Sequence, residues 1–308
     1  MLDVRRMRVL LEVANRGSIS AAAQALSFSP SAVSQQIATL ERETGVALVE
    51  RGPRSVRLTE AGRALAGHAE DVIARLQAAE TDLQALAGLR RGNVRVASFP
   101  TAYATIMPGA IATFRARHPE VELHLTECDP LAGLARVRSG ELDVALVYEY
   151  DFVPLPPEEG VELVHLLDDP VHVLLPRTHP AARRRAVRLR DLADEPWITS
   201  TARSSCHAFV RRACNAAGFD PEVTMESDDH GVWQGLVAAG VGVALVSELS
   251  LPVLDPSAVL KPVAGRELKR GIFAAHRVGA TRSPGVAALL AVLEDEVAAR
   301  RASYAKTA

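Results

Sequence analysis

The chain has 308 residues, more than one ordinary domain of about 100–200 residues holds, and 48% hydrophobic with 23% charged residues is a globular composition. Its longest apolar run, the 11 residues 236–246, is far short of the roughly 20 that span a bilayer, so no membrane partner is expected. The net charge of -2 divides unevenly: residues 1–60 hold eight Arg against six Asp or Glu, a balance of +2, and the other 248 hold 27 basic and 31 acidic residues, a balance of -4. That sign suits a nucleic-acid contact at the N-terminal end. Three cysteines, Cys128, Cys206 and Cys214, make no disulfide framework. The opening stretch is broken by Asp3 and Glu12 and lacks the pattern of a secretory signal, so a cytoplasmic location is expected.

Val4, Met7, Leu10, Leu11 and Val13 fall at helical spacing, and Gly17 suits a left-handed cap at the end of that helix. Ser18 can cap a second, alanine-rich helix. After the turn Ser27-Phe28-Ser29, Ser29 and Pro30 start a third helix, with Val33, Ile37 and Leu40 inward and Ser31, Ser34, Gln35 and Ala38 outward. A helix, a three-residue turn and a second helix is the arrangement that enters a major groove, and Gln and Ser can bond base edges. Two short β-like runs, 47–49 and 55–58, flank Gly52-Pro53 as a wing, and Arg51 and Arg54 are placed to meet phosphates or a narrow minor groove, with Arg57 beside them.

The run GSISAAAQALSFSPSAVSQQIATLERETGVALVERGPRSVRLTEAG resembles the N-terminal domain of LysR-type transcriptional regulators. The alanine-rich helix, the S-x-S-P-S-A-V-S-Q-Q-I run, the L-E-R-E-T-G-V-x-L stretch with its following arginine, and L-T-E-A-G carry the resemblance. Gln36, Ala38 and Thr39 stand where many members have basic residues, and Val49 where phenylalanine is common. The resemblance implies a ligand-responsive DNA-binding regulator, without enzymatic activity, cofactor or metal. It would bind a pseudo-palindromic promoter site on double-stranded DNA as a homodimer or homotetramer, with RNA polymerase as a further partner. DNA contacts are expected from Ser29, Ser31, Ser34, Gln35, Arg51 and Arg54, with the helix-turn-helix over about 19–38.

Thr59 can cap a long helix reaching about Ala87. Leu65, Ala69, Val72, Leu76, Ala79, Leu83 and Leu86 recur in steps of four and three, the seam of a coiled coil. About 28 residues span roughly 40 Å, and an apolar stripe of that length needs a partner. The alternative is packing on its own domain. The resemblance implies a dimerising linker helix.

From Gly92 onward strands and helices alternate: strand 93–98, helix 101–117, strand 121–127, helix 130–139 and strand 144–147. A second lobe follows, then a strand at 271–276 and a final helix at 284–301. The expected fold is therefore α/β with an all-α/winged N-terminal domain: a winged helix-turn-helix (1–58), a linker helix (59–89) and a two-lobed, periplasmic-binding-protein-like effector domain (92–301). Lobe one covers about 92–162 and 269–301, and lobe two about 163–268. In such sheets ligands sit beyond the carboxyl ends of strands. That points to Ser98, Thr101, Tyr103, Cys128 and Tyr148 in lobe one, and to Thr199, Ser200, Thr201, Ser204 and Asp228 in lobe two, around an unknown small-molecule effector. Hydroxyls suit a carboxylate or another small polar ligand, whereas Glu127, Glu149, Asp228 and Asp229 suit a cationic or amine-bearing one. Many of these residues also suit plain helix capping. A redox role for Cys206 and Cys214, a zinc site at His165, His172 and His179, and a second DNA contact at the arginine cluster 183–190 are each the weaker reading. The rival function is an enzyme or small-molecule-binding protein using the cleft alone.

Overall fold

A computed structural model describes residues 2–52, 55–86 and 92–307. The chain divides into two compact units near residue 90, with the short stretch 136–142 grouped with the first.

In the first unit, α1 (Val4–Arg16), α2 (Ile19–Ala25) and α3 (Pro30–Thr44) precede the antiparallel pair β1 (Val49–Arg51) and β2 (Val56–Leu58), and α4 (Glu60–Leu86) follows. The local signals act as their chemistry requires. Asp3, Ser18 and Ser29 each accept a first-turn N–H, and Gly17 and Gly45 close α1 and α3 in the left-handed conformation. Leu10, Val13, Ala22, Val33, Ile37 and Leu40 are fully buried in one core. Large side chains in such a core contribute about 1.5–3 kcal/mol each, while Ala22 and Ala23 let α2 approach its neighbours closely.

In the second unit the order is β3 (Asn93–Ser98), α5 (Pro100–Thr105), α6 (Met107–Arg117), β4 (Glu122–Glu127), α7 (Pro130–Arg138), β5 (Val144–Tyr150), β6 (Val161–Pro176), β7 (Pro196–Thr199), α8 (Ser205–Ala216), β8 (Glu222–Glu226), α9 (His230–Ala238), β9 (Ala244–Ser247), β10 (Ala258–Pro262), β11 (Leu268–Arg277) and α10 (Pro284–Thr307). One mixed sheet runs β10-β6-β11-β5-β3-β4, with β9 also paired to β6, and β7 and β8 form a separate parallel pair.

Two expectations change. The helix expected over 101–117 is two helices. Pro108 lies in the first turn of α6, where its missing N–H is harmless, whereas in the middle of one long helix it would break the ladder. The lobe boundary expected near residue 163 falls inside β6, a continuous 16-residue strand. β6 pairs with β11 over residues 161–171, with β9 over 171–174 and with β10 over 172–176. The lobes therefore share two long antiparallel strands, β6 and β11. Each lobe keeps its own core, one centred on Phe114, Ile272 and Leu293, the other on Trp197, Phe209 and Trp233. Among the described residues no helix is long and apolar enough to cross a membrane.

Candidate functional site

Helix α3 presents a polar strip because its other side is sealed in the core. Val33, Ile37 and Leu40 are at 0% exposure, which leaves Ser31 and Gln35 exposed and Ser34 half-buried on the opposite face. Ser29 Oγ accepts the Ala32 N–H at 3.2 Å and lies 2.9 Å from Ser31 Oγ. With no acid in its first turn, α3 directs its positive end and these hydroxyls to the same place.

The wing is tied down at several points. One oxygen of Glu41 accepts the N–H groups of Leu48 and Val49 at 2.9 and 3.2 Å, and the Gly17 carbonyl accepts the Val56 N–H at 2.8 Å. The Thr59 hydroxyl donates to the Ala47 carbonyl at 2.7 Å and accepts the Gly62 N–H at 2.9 Å. Arg57 is exposed on β2, and the backbone of Arg51 sits opposite Val56 in β1. Arg54 lies outside the described residues.

Helix α4 uses two faces. Ala66, Ala69 and Ile73 are buried within their own unit, where α4 packs along α1. Val72 and Leu76 remain exposed, at 38% and 47%. Packing on its own domain thus takes Ala69 from the expected seam, and Val72 and Leu76 stay uncovered. The side chains of Leu83 and Leu86, and the helix end expected near Ala87, lie outside the described residues.

The second unit carries a cluster where β6 and β11 pass between the lobes. Asp169 Oδ2 accepts from Arg270 Nη2 at 2.7 Å and Nε at 3.1 Å, and Asp169 Oδ1 accepts the Leu249 N–H at 3.1 Å. The Arg270 side chain is 2% exposed and that of Asp169 0%. The guanidinium lies over the rings of Phe99, Tyr148 and Tyr150, at 5.2, 5.1 and 6.0 Å. Tyr148 meets Phe99 edge-on at 4.7 Å and bonds Ser205 at the start of α8, while Tyr150 stacks on Phe209 at 4.5 Å. The end of β3 in lobe one and the start of α8 in lobe two thus meet through Tyr148, with Arg270 beneath. Thr101 Oγ1 and Thr199 Oγ1 are buried without a hydrogen-bond partner. The Ser200 hydroxyl lies against the Cys206 thiol, a weak hydrogen-bonding group. The His207 ring bonds the Ser200 carbonyl at 3.1 Å, fixing the first turn of α8 against it.

Burial, and next the charge of Arg270, lower the His230 pKa to about 4. A depressed folded pKa means that the unfolded chain binds the proton more tightly, so this contribution to stability is complete above about 6.5 and is lost as pH falls toward 4. From pH 7 to 5 that is about 2 kcal/mol. His230→Gln is expected to make the acid limb of denaturant-measured stability shallower by that amount; identical pH profiles for the two chains would contradict it.

Two family models match this chain. The LysR substrate binding domain covers residues 87–298, and the bacterial regulatory helix-turn-helix protein of the lysR family covers residues 4–63. The chain belongs to the LysR family of transcriptional regulators. Among its relatives, the transcriptional dual regulator GltC of Bacillus subtilis (strain 168) is 30% identical over 274 residues, 88% of this chain and 89% of the relative. The RuBisCO operon transcriptional regulator of Allochromatium vinosum is 29% identical over 300 residues, 96% and 97% of the two chains. A full-length OxyR variant from Pseudomonas aeruginosa has the same fold, with a TM-score of 0.68 at 22% identity over 96% of this chain and 95% of its own. Full-length CbnR complexed with its target DNA gives a TM-score of 0.59 at 22% identity over 96% of this chain and 100% of its own. This LysR protein is accordingly a DNA-binding transcriptional regulator with an effector-binding domain, from a family whose members form oligomers. The enzyme alternative finds no support among these relatives.

Of the effector residues expected from sequence, Tyr148 lies under Arg270, Ser200 lies against Cys206, and Thr101 follows two residues after Phe99, the ring that Tyr148 meets. Ser98 is fully buried at the end of β3, its hydroxyl 3.5 Å from the Phe99 carbonyl. Others have partners of their own. Asp228 accepts the Thr201 N–H and hydroxyl at 3.0–3.2 Å, Ser204 caps α8 through the Cys206 N–H, and the Tyr103 hydroxyl donates to the Thr126 carbonyl of the edge strand β4. Cys128 is half-buried near Gly133. Asp229 caps α9, Glu127 is exposed at the end of β4, and Glu149 accepts the Leu155 N–H in a groove with Asp168, Lys269 and Phe273. Of the carboxylates expected for an amine-bearing ligand, Asp228 has both oxygens engaged by Thr201, whereas Asp229 and Glu149 each use one oxygen on a backbone N–H.

Arg270, Asp169 and Tyr150 escaped the sequence reading. The available signal was an arginine in step with Ile272 and Ala274, which marks an inward position of a strand. Both helical cysteines are buried and their thiol pKa values rise, Cys214 to about 12, which disfavours the reactive thiolate. His165 and His172 share strand β6, and among the described residues no group of ligating side chains gathers to hold a metal. In the arginine cluster, Arg184 and Arg188 pair with Asp191, and Arg190 with the Gly218 carbonyl.

Proposed function

We propose that this regulator reads operator DNA with Ser31, Ser34 and Gln35 of α3, that Ser29 orders the start of that helix, and that Arg51 and Arg54 of the wing anchor to phosphates. The observation that carries the reading is the polar strip of α3, open to solvent while Val33, Ile37 and Leu40 lock the opposite face. The exposed Val72 and Leu76 of α4 support self-association, which in turn favours a pseudo-palindromic site bound by a dimer or tetramer. The working domain limits are 1–58, 59–89 and 92–301. The effector is a small molecule bound where the lobes meet, beside Thr101, Tyr148, Thr199 and Ser200. It acts by favouring one of two arrangements of the assembly, which requires unequal affinity for the two. Action on promoters brings RNA polymerase in as a partner, in the cytoplasm.

A gel-shift assay on the DNA upstream of the chain's own gene tests the DNA reading. Gln35→Ala is expected to lower specific binding by about 1–3 kcal/mol and to relax base preference at one position in each half-site. An unchanged preference would count against α3 as the reader. Arg51→Ala should weaken all sequences alike and reduce the salt dependence; a sequence-selective loss would contradict the phosphate role.

A further inference from the structure

We infer that the effector domain holds a second small-molecule site, for an ammonium-bearing ligand with an apolar body, anchored by Glu149 in a groove on the face of β5, β6 and β11 opposite to Arg270. It is separate from the interlobe site proposed above and stands whether or not that site holds the effector.

The register of three strands builds the groove. Gly271 of β11 stands between Asp168 of β6 and Glu149 of β5, and one step along Arg270 stands between Asp169 and Tyr150. Successive residues of a strand point to opposite faces. Tyr148, Tyr150, Asp169 and Arg270 therefore share one face, and Glu149, Asp168, Lys269 and Phe273 share the other. The contacts agree, since Lys269 Nζ meets Asp168 Oδ2 at 2.6 Å and the His165 ring meets Phe273 edge-on at 5.3 Å. Because Gly271 lacks a side chain, the row across the three strands is two carboxylates with a gap between them. A Cβ in that gap would stand 3.0 Å from the Phe273 ring and 3.7 Å from Glu149 Cγ. Glycine inside a strand often marks the close approach of a ligand or another backbone. The cavity over it measures about 480 Å³, within the range of small-molecule sites, and Phe152, Pro154 and Phe273 give it an apolar lining.

Charge selects the ligand. The lining holds one lysine, Lys269, against the carboxylates of Glu149, Asp151 and Asp168. Lys269 is already paired with Asp168, whose other oxygen meets His165 Nε2 at 2.9 Å. Asp151 accepts the Lys269 N–H at 3.0 Å and pairs with Arg266, beside the groove, at 3.3 Å. Glu149 is the carboxylate left without a cation. Its Oε2 accepts the Leu155 N–H at 2.9 Å, and its Oε1 stays open among the described residues. An incoming ammonium would complete that balance, with the rest of the ligand lying against the phenylalanines. An anion would meet three carboxylates and an ammonium that is already engaged. Glu149, which the sequence suggested for an amine-bearing ligand, thus keeps that chemistry on the face turned away from Tyr148.

The test is titration calorimetry on the full chain at low ionic strength, with benzylamine, butylamine, benzyl alcohol and benzoate as probes. The expected result is that benzylamine binds, that benzyl alcohol and benzoate do not, and that Glu149→Gln weakens benzylamine binding roughly tenfold or more. Glutamine keeps an oxygen for the Leu155 N–H, so the variant should melt at the parental temperature. Gly271→Ala fills the gap and should weaken binding to a similar degree; if the crowded Phe273 ring makes it unstable, Glu149→Gln carries the test. Thr199→Val, in the other site, should leave benzylamine binding unchanged. Benzylamine binding that is indifferent to Glu149→Gln, or that is lost in Thr199→Val, would overturn the groove as the site. Benzyl alcohol binding as well as benzylamine, with the same dependence on Glu149, would overturn the cation, and benzoate doing so would reverse the sign of the charge. Butylamine binding as tightly as benzylamine would keep the cation and overturn the contact with the rings. No binding by any probe at millimolar concentration would overturn the site and leave both the DNA reading and the interlobe reading untouched.

Discussion

Asp169→Ala is expected to destabilise the second unit by about 3–5 kcal/mol. Removing this carboxylate leaves the Arg270 guanidinium buried among three aromatic rings without its counter-charge, and the Leu249 N–H without its acceptor. The loss measures the penalty of an orphaned charge, not the net worth of the pair. Arg270→Met combined with Asp169→Leu should therefore recover much of it, because neither buried charge then remains. Asp169→Asn should fall between the two, since an amide oxygen can still accept from Leu249. Tryptophan fluorescence isolates the measurement. The two tryptophans, Trp197 and Trp233, are both fully buried in the second unit, so urea denaturation followed by their emission reports that unit. A parental midpoint for Asp169→Ala would mean that the guanidinium is far better solvated than its 2% exposure indicates.

Gly62→Ala is expected to disrupt the DNA-binding unit without touching the effector domain. A Cβ at Gly62 would stand 2.0 Å from the Leu48 carbonyl oxygen, a backbone atom with little freedom to retreat. The same carbonyl accepts the Thr59 N–H, and Leu48 leads directly into β1. Relief therefore requires the wing to move away from α4. Overpacking of this kind costs about 1–3 kcal/mol, more where backbone must shift. DNA affinity should fall further than stability, since Arg51 moves with β1, while tryptophan-reported unfolding of the second unit stays as in the parent. Gly67→Ala in the same helix is the control. Nothing lies within 4 Å of a Cβ there, so alanine should stabilise α4 by about 0.5–1 kcal/mol. If both glycines tolerate alanine equally, the close approach of α4 to Leu48 is wrong.

Glu41 and Gly62 show the limits of pattern reading at the DNA-binding end. Both belong to the motifs that carry the family resemblance, L-E-R-E-T-G and L-T-E-A-G. The sequence marks them without a reason. In the folded unit Glu41 is an acceptor for two wing N–H groups, and Gly62 is the point where helix and wing backbone touch. Neither contacts DNA in the proposed reading; both hold in place the parts that do. In the effector domain, hydroxyls at strand ends and helix starts were legible as candidates, but capping and ligand contact look alike in sequence. Ser204 and Thr199 illustrate this. The first spends its oxygen on the Cys206 N–H, and the second keeps an unpartnered one.

The caps at Ser18 and Ser29, the left-handed glycines 17 and 45, the buried and exposed faces of α3 and the apolar stripe of α4 were all set by residues within a few positions of one another. Such signals survive in a linear string because helix geometry repeats every three to four residues. The buried pair of Arg270 and Asp169 was decided only by the fold. Arg270 and Asp169 are 101 residues apart and meet because β11 and β6 pair in one particular register. A change of one residue in that pairing would turn either side chain to the other face of the sheet. No local pattern encodes that register, so the charge at the cleft emerges only when the two strands are laid side by side.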